Sequence, residues 1–201
     1  GEFRHGQWDA ARTQWEQLIR RFPQDPWAAR SQLALARCDY RQSRWQPAEE
    51  RLRPLLQHPQ LGVEAALWLG LTQKAQSNWP AAQATLTQAM SAAAAGNLAR
   101  SLLHAATVFH AADAARMAGD LSVAARLYAQ VVKDWPTGPL LADGRLGQML
   151  TAAAAQDHAT VDRLGQQIAA QLPLGRQRIQ ADRAWVRSLL ARRNFADAIT
   201  L

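Results

Sequence analysis

Apolar residues recur three and four positions apart along most of this chain, as in the segments RSQLALARCDYRQS and ALWLGLTQKAQS. This spacing is typical of amphipathic α-helices, because it gathers the apolar side chains on one helix face. Short stretches rich in glycine, proline, serine and asparagine separate the segments. The pattern therefore predicts an all-α protein built from many short helices.

The helical segments also repeat. Six residues that follow turns stand 37, 34, 42, 37 and 37 positions apart: Trp8, Trp45, Trp79, Leu121, His158 and Phe195. Three positions after each of them stand Ala11, Ala48, Ala82, Ala124, Val161 and Ala198, and most cycles close near Pro23, Pro59, Pro136 or Pro173. Small residues let two helices approach closely, and proline ends a helix because it lacks an N–H donor. A period in the thirties with this internal order predicts stacked helix pairs.

The expected layout is a single array over residues 1–201, which we take as a piece of a longer protein. It starts with the second helix of a pair at 7–21, and further pairs follow near 26–57, 62–94, 98–134, 139–171 and 176–201. The 42-residue interval predicts a lengthened first helix at 98–117. Within the other helices, Pro54 is expected to produce a kink and Gly165 to leave a hole.

Composition and charge exclude several classes of protein. The net charge is +7, from 23 basic and 16 acidic residues, but no dense basic stripe with interleaved aromatic residues favours nucleic-acid binding. No apolar run reaches the roughly 20 residues that span a bilayer. A single cysteine, Cys38, allows neither an internal disulfide nor a cysteine zinc site.

Several residues resemble the tetratricopeptide repeat family. Leu69 and Gly70 match the family's Leu-Gly pair, Gly119 matches its turn, and Ala124, Tyr128 and Pro136 match its small, aromatic and proline positions. The resemblance implies a right-handed α-solenoid of antiparallel helix pairs. The segments that link the repeats look like those of bacterial cell-envelope proteins, which favours the periplasm or envelope over the cytoplasm.

The same resemblance implies a binding surface, because the first helix of each pair lines a concave groove in that family. Carried onto this chain, the partner-binding positions are Arg30, Leu33, Arg37, Tyr40, Arg41, Lys74, Phe109, Asp113 and Arg116. Three arginines and a tyrosine within 30–41 suit an acidic segment or a C-terminal carboxylate. The alternative is a solvated helix face whose arginines pair with Asp39.

Other residues with chemical potential have simpler interpretations. Five tryptophans stand at repeat packing positions and are expected in the core: Trp8, Trp15, Trp45, Trp79 and Trp135. Trp27, Trp68 and Trp185 are less constrained, and one of them is expected to be exposed. His110 and Asp113 share a helix face, but His104 lies off it, so no metal site is predicted. Cys38 is expected to be a small buried apolar residue.

The sequence therefore favours a non-enzymatic scaffold, without metal or cofactor, that binds a protein or peptide partner. It contains no glycine-rich phosphate loop, paired-carboxylate motif or nucleophile elbow. Two alternatives stay open: a sensor array fused to an effector such as a kinase, transcription regulator or secretion component, and a structural spacer. Self-association through uncapped ends is also expected. The divergent repeats after residue 139 have no assigned role.

Overall fold

The computed structural model describes residues 8–23 and 25–200, and over these residues it consists of α-helices, a 3₁₀ helix and turns. The helices are α1 (Trp8–Arg21), α2 (Pro26–Arg41), α3 (Trp45–Leu52), α4 (Gly62–Ala75), α5 (Trp79–Ala95), α6 (Leu102–Met117), α7 (Leu121–Asp134), α8 (Leu141–Ala154), α9 (His158–Gln171), α10 (Arg176–Ala191) and α11 (Phe195–Thr200). The predicted all-α class is confirmed. Residue 7 and the side chains of Trp8 and Ala11, which belong to the predicted first repeat, lie outside the described part.

Two compact units divide the chain, residues 1–97 with α1 to α5 and residues 98–201 with α6 to α11. In each unit a helix packs against its neighbours in the chain. The first helices of successive pairs also pack against each other, as α4 does on α2, α8 on α6 and α10 on α8. Such near-neighbour stacking is typical of a helical solenoid. The view of residues 1–201 as one array stays a prediction.

The turns that join a first helix to a second helix share one construction. Two positions before each second helix stands a residue with positive φ: Ser43 (58°), Ser77 (59°), Gly119 (88°), Gln156 (57°) and Arg193 (59°). The N–H of the following residue donates to the carbonyl oxygen five positions earlier, for example Arg44 to Asp39 and Asp120 to Ala115, both at 2.9 Å. This Schellman geometry reverses the chain while it satisfies carbonyl groups at the helix end.

Short polar side chains begin several of the second helices. The side chains of Asn78, Asp120 and Asp157 each accept a hydrogen bond from a backbone N–H in the first turn of the helix that follows. At α9 the donor is the Thr160 N–H, 3.1 Å from Asp157 Oδ1. Hydrogen bonding with Thr160 lowers the pKa of the Asp157 carboxyl. These caps stabilise helix ends that have no intrahelical acceptor for their first N–H groups.

Helices approach closely where a glycine faces a large side chain of a neighbouring helix. The pairs are Gly70 with Leu86, Gly147 with Tyr128, and Gly165 with Trp185. At each glycine, an added Cβ would lie within 2.7 Å of a carbon atom of the partner side chain. That is well inside the separation of about 3.5–4.0 Å at which carbon atoms pack. The predicted hole at Gly165 is therefore wrong, because the indole of Trp185 fills it.

The 42-residue interval does not lengthen the first helix of its pair, contrary to the prediction. Helix α6 begins at Leu102 and has 16 residues, the same length as α2. The additional residues lie in the preceding helix α5, which has 17 residues, and in the turn 96–101. An alanine run extends α5 because alanine is the strongest helix former, whereas Ser101 caps the start of α6.

The predicted kink at Pro54 is also replaced by another structure. Helix α3 ends at Leu52, and Arg53–Gln57 forms a 3₁₀ helix with Pro54 in its first turn. Proline in a helix interior removes a hydrogen bond and clashes with the preceding turn, but it is tolerated at a helix start. The chain thus changes helix type at this point.

We predict that Gly147→Ala destabilises the protein by roughly 1–3 kcal/mol, the usual cost of an overpacked core. The new methyl group would meet the ring of Tyr128, which is buried. Urea unfolding measures the change in the free energy of unfolding. Gly175→Ala is the control, since the nearest atom to its Cβ would be the Pro173 carbonyl oxygen at 3.8 Å. Equal stability of both variants would contradict the close helix crossing.

Candidate functional site

The residues expected to bind a partner are distributed over both units. Arg30, Leu33, Arg37, Tyr40 and Arg41 lie on α2 and Lys74 on α4, all in the first unit. Phe109, Asp113 and Arg116 lie on α6 in the second unit. Each group is therefore described within its own unit.

Leu33 is not a surface residue, and its assignment to the binding surface is wrong. Only 5% of the residue is exposed, and it belongs to a core cluster with Leu52, Leu61 and Leu69. Its side chain packs between the stacked helices because that position of α2 points toward α3 and α4. Leu67, at the corresponding position of α4, is buried as well.

An arginine and two aromatic rings meet where α2 packs on α4. The guanidinium carbon of Arg37 lies 5.1 Å from the ring centroid of Trp68, and Tyr40 packs edge-on against the same indole at 5.4 Å. Arg37 Nη1 also lies 3.6 Å from Glu64 Oε1. These four residues, Arg37, Tyr40, Glu64 and Trp68, are called the α2/α4 patch below. Part of the Trp68 side chain packs on the core, while the patch itself is half-buried.

Three more candidate residues lie outside the patch. Arg30 is exposed, and its guanidinium carbon lies 5.2 Å from the ring of Trp27 at the start of α2. Trp27 is 59% exposed, so it is the exposed tryptophan among the three less constrained ones. Arg41 is exposed in the last turn of α2, and Lys74 is half-buried in the last turn of α4.

In the second unit the three candidate residues belong to a contact between α6 and α7. Asp113 Oδ1 accepts hydrogen bonds from Arg116 Nη2 at 2.9 Å and from the Tyr128 hydroxyl at 3.3 Å. Phe109 packs edge-on against the ring of Tyr128 at 5.8 Å. Burial, followed by the nearby Asp113 carboxylate, raises the pKa of the Tyr128 hydroxyl, so the group stays protonated. This arrangement joins two helices of the core.

In the alternative interpretation, a solvated face whose arginines pair with Asp39, the pairing is wrong, whereas Arg30 and Arg41 are solvent-exposed. Asp39 is fully buried, and other arginines reach it: Arg12 from α1, Arg44 from the α2–α3 turn and Arg51 from α3. The Nε atoms of Arg44 and Arg51 each lie 2.9 Å from one of its carboxylate oxygens. A buried carboxylate is tolerated only when it is paired and hydrogen-bonded. Asp39 thus links three successive segments of the first unit.

The remaining titratable candidates are structural. Cys38 is fully buried, and burial raises the pKa of its thiol, which confirms the predicted apolar role. His104 is buried edge-on against Trp135 at 5.2 Å, and burial lowers the pKa of its imidazole. Among the residues that the structure describes, no group of three His, Cys, Asp or Glu side chains could hold a metal ion.

Of the packing tryptophans whose side chains the structure describes, one is buried in the core as predicted. Trp135 is buried, and its indole N–H donates to the Arg100 carbonyl oxygen at 2.9 Å. Trp15, Trp45 and Trp79 are half-buried. The side chain of Trp8 lies outside the described part.

Stacked antiparallel helix pairs define an α-helical repeat protein. This fold commonly mediates protein–protein interaction and is generally non-enzymatic. The tetratricopeptide repeat model matches residues 2–49, so the resemblance to this family is confirmed. No curated protein matches the sequence. No helix in the described ranges is both long and apolar enough to cross a membrane. The narrower resemblance to cell-envelope repeats stays a prediction.

Solved structures of other proteins have a similar fold. BtubC (BKLC) from P. vanneervenii superimposes with a TM-score of 0.76 at 16% identity, covering 96% of this chain and 86% of that protein. A Podosopora anserina protein described as a kinesin light chain with nearly identical TPR-like repeats gives a TM-score of 0.69 at 17% identity. That match covers 88% of this chain and 92% of the other.

We predict that Asp39→Ala destabilises the chain by about 3–5 kcal/mol, because it leaves arginine side chains without their buried counter-charge. Chemical unfolding of the full chain checks this value. Glu50→Ala is the matched control: it removes an exposed carboxylate from α3 whose side-chain contact is with Gln46 on the same helix. The control should change stability by less than about 0.5 kcal/mol. A similarly small effect of Asp39→Ala would show that the arginine contacts do not hold α1 and α3 to α2.

Proposed function

We propose that the first unit binds an acidic segment of a partner protein through the α2/α4 patch, with Arg41 as a second contact. The observation that supports this proposal most strongly is the position of the Arg37 guanidinium over the Trp68 indole, with Tyr40 against the same ring. Arginine, tryptophan and tyrosine contribute most of the binding energy in many protein interfaces. Here two adjacent helices supply all three.

The packing of the patch favours binding for a second reason. Trp68 is anchored against the core, so its indole holds the Arg37 guanidinium in place before a partner arrives. A side chain that is already ordered loses less conformational entropy on binding. The planar guanidinium also matches the geometry of a carboxylate and can donate two parallel hydrogen bonds.

Glu64 competes with a partner carboxylate for Arg37. The two charged groups are 3.6 Å apart, and about a third of each side chain is exposed. Ion pairs with this exposure contribute about 0–1 kcal/mol, so a partner carboxylate can replace Glu64 at little cost. Arg41, exposed one turn further along α2, and Lys74 in the last turn of α4 add positive charge near that end of the two helices.

Selection of phage-displayed random peptides on the full chain tests the proposal. We expect the selected peptides to carry clustered Asp and Glu residues. Arg37→Glu combined with Arg41→Glu should weaken their binding by roughly tenfold or more, because it replaces two attractive charges by repulsive ones. Raising the salt concentration should weaken binding to the parent chain in the same direction.

Arg20→Glu combined with Arg21→Glu is the control, since it makes the same change in net charge at two exposed arginines of α1. This control should retain the selected peptides. Equal losses of peptide binding in both double variants would show that overall charge alone causes the effect. Selection of peptides without acidic residues, or unchanged binding by the Arg37/Arg41 variant, would contradict the proposed site.

A further inference from the structure

A cleft of about 470 Å³ lies in the second unit, between the first turns of α7 and α9 and the last turns of α8. Apolar side chains form much of its wall: Leu121, Ala125, Ala152, Ala155 and Leu164. The volume falls in the range of about 300–1,000 Å³ that is usual for ligand pockets. The cleft is in the other unit from the α2/α4 patch, so what it binds does not depend on the function proposed above.

The two units contain corresponding helices, which allow the cleft to be compared with its counterpart. Helices α4 and α8 both have 14 residues, and α8 repeats α4 with an offset of 79 positions. At this offset Thr72 and Thr151 each donate their hydroxyl to the carbonyl oxygen four positions earlier, at 2.8 and 2.7 Å. The positive-φ residues Ser77 and Gln156 also correspond. Helices α3 and α7 correspond at an offset of 76, where Ser43 matches Gly119.

In the first unit, polar side chains cross the space that corresponds to the cleft. Gln76 Nε2 donates to Glu49 Oε1 at 2.6 Å, and Arg53 Nη2 donates to Glu49 Oε2 at 2.7 Å. In the second unit the positions of Glu49, Gln73 and Gln76 are occupied by Ala125, Ala152 and Ala155. Ala125 and Ala155 cannot form the Glu49–Gln76 hydrogen bond that crosses this space in the first unit, and in the second unit the space is open.

The rim of the cleft is polar and carries two exposed charged groups, Arg163 and Asp157. Ser122, Gln148 and Thr160 supply neutral hydrogen-bonding groups. Arg163 makes no ion-pair contact with the residues the structure describes, although its charge adds to the Thr160 hydrogen bonds in lowering the pKa of Asp157. The Asp157 carboxylate itself caps α9. Neutral donors and acceptors suit the amides of a polypeptide backbone, and Arg163 is complementary to a carboxylate.

We infer that the cleft binds a bulky apolar side chain of a partner polypeptide, next to which the partner carries an acidic residue that pairs with Arg163. The apolar side chain would contact Leu121, Leu164 and the three alanines, while the backbone would remain at the rim beside Gln148 and Thr160. A side chain attached to a backbone can enter because the cleft opens to solvent. This would be a second protein-binding site, on α7, α8 and α9.

NMR of the full chain with ¹³C-labelled leucine methyl groups tests this inference. The probes are the dipeptide N-acetyl-Phe-Glu-amide, its neutral counterpart N-acetyl-Phe-Gln-amide, and toluene as a free apolar molecule. We expect the acidic dipeptide to shift the methyl signals of Leu121 and Leu164. The neutral dipeptide should bind roughly twofold to fivefold more weakly, the range for an exposed ion pair. Arg163→Gln should remove that difference between the two dipeptides.

Ala125→Glu combined with Ala155→Gln rebuilds in the second unit the pair that fills the first, and it should abolish the shifts. Ala154→Gln is the control, because this exposed position of α8 is outside the cleft and should leave binding unchanged. Unaltered shifts in the filled variant, or the absence of shifts with both dipeptides, would overturn the inference. Binding of toluene alone would overturn it too, since the cleft would then admit a free small molecule and not a side chain. If the filled variant does not fold, the Arg163→Gln variant provides the test, and an unchanged difference in binding between the two dipeptides would overturn the inference.

Discussion

The close approach of neighbouring helices at small residues is the constraint on which the rest of this structure depends. Tyr128 and Trp185 lie over Gly147 and Gly165, where a single methyl group would collide with an aromatic ring. Contacts of this kind let a helix stack closely on its neighbour. They also restrict variation, because core positions do not tolerate an added methyl group freely. Other positions, both buried and exposed, differ between the repeats and give them distinct chemistry.

The surface that each unit presents depends on the side chains in which its repeats differ. The first unit uses charged residues internally, with Asp39 buried among three arginines that bind α1 and α3 to α2. Arg37, in contrast, faces Trp68 at the surface. The second unit replaces the Glu49–Gln76 pair of the first by Ala125 and Ala155, which opens a cleft. Two units with one framework thus present two different surfaces.

The sequence predicts the helices well because their signal is local and periodic. The turn that joins the two helices of a pair is harder to predict from the sequence, because only Gly119 among its five positive-φ residues is glycine. The site could be predicted in part: Arg37 and Tyr40 follow from the family's groove positions, but Trp68 contacts them from another helix. The sequence places Leu33 and Asp39 wrongly at the surface, because no local pattern indicates which side of α2 faces α3. No local signal indicates the Asp39 network, because Asp39 stands in the polar sequence Arg37–Gln42, which is equally typical of an exposed helix face.

The most direct test of binding at the α2/α4 patch is an NMR titration of the indole N–H signals of the eight tryptophans. The probe is N-acetyl-hexaglutamate-amide, with N-acetyl-hexaglutamine-amide as the uncharged control. Binding at the patch predicts that the Trp68 signal shifts with the acidic probe only, while Trp135 and Trp185, whose indole N–H groups donate within the second unit, do not shift. An unchanged Trp68 signal, or equal shifts of all tryptophans, would contradict the proposed site.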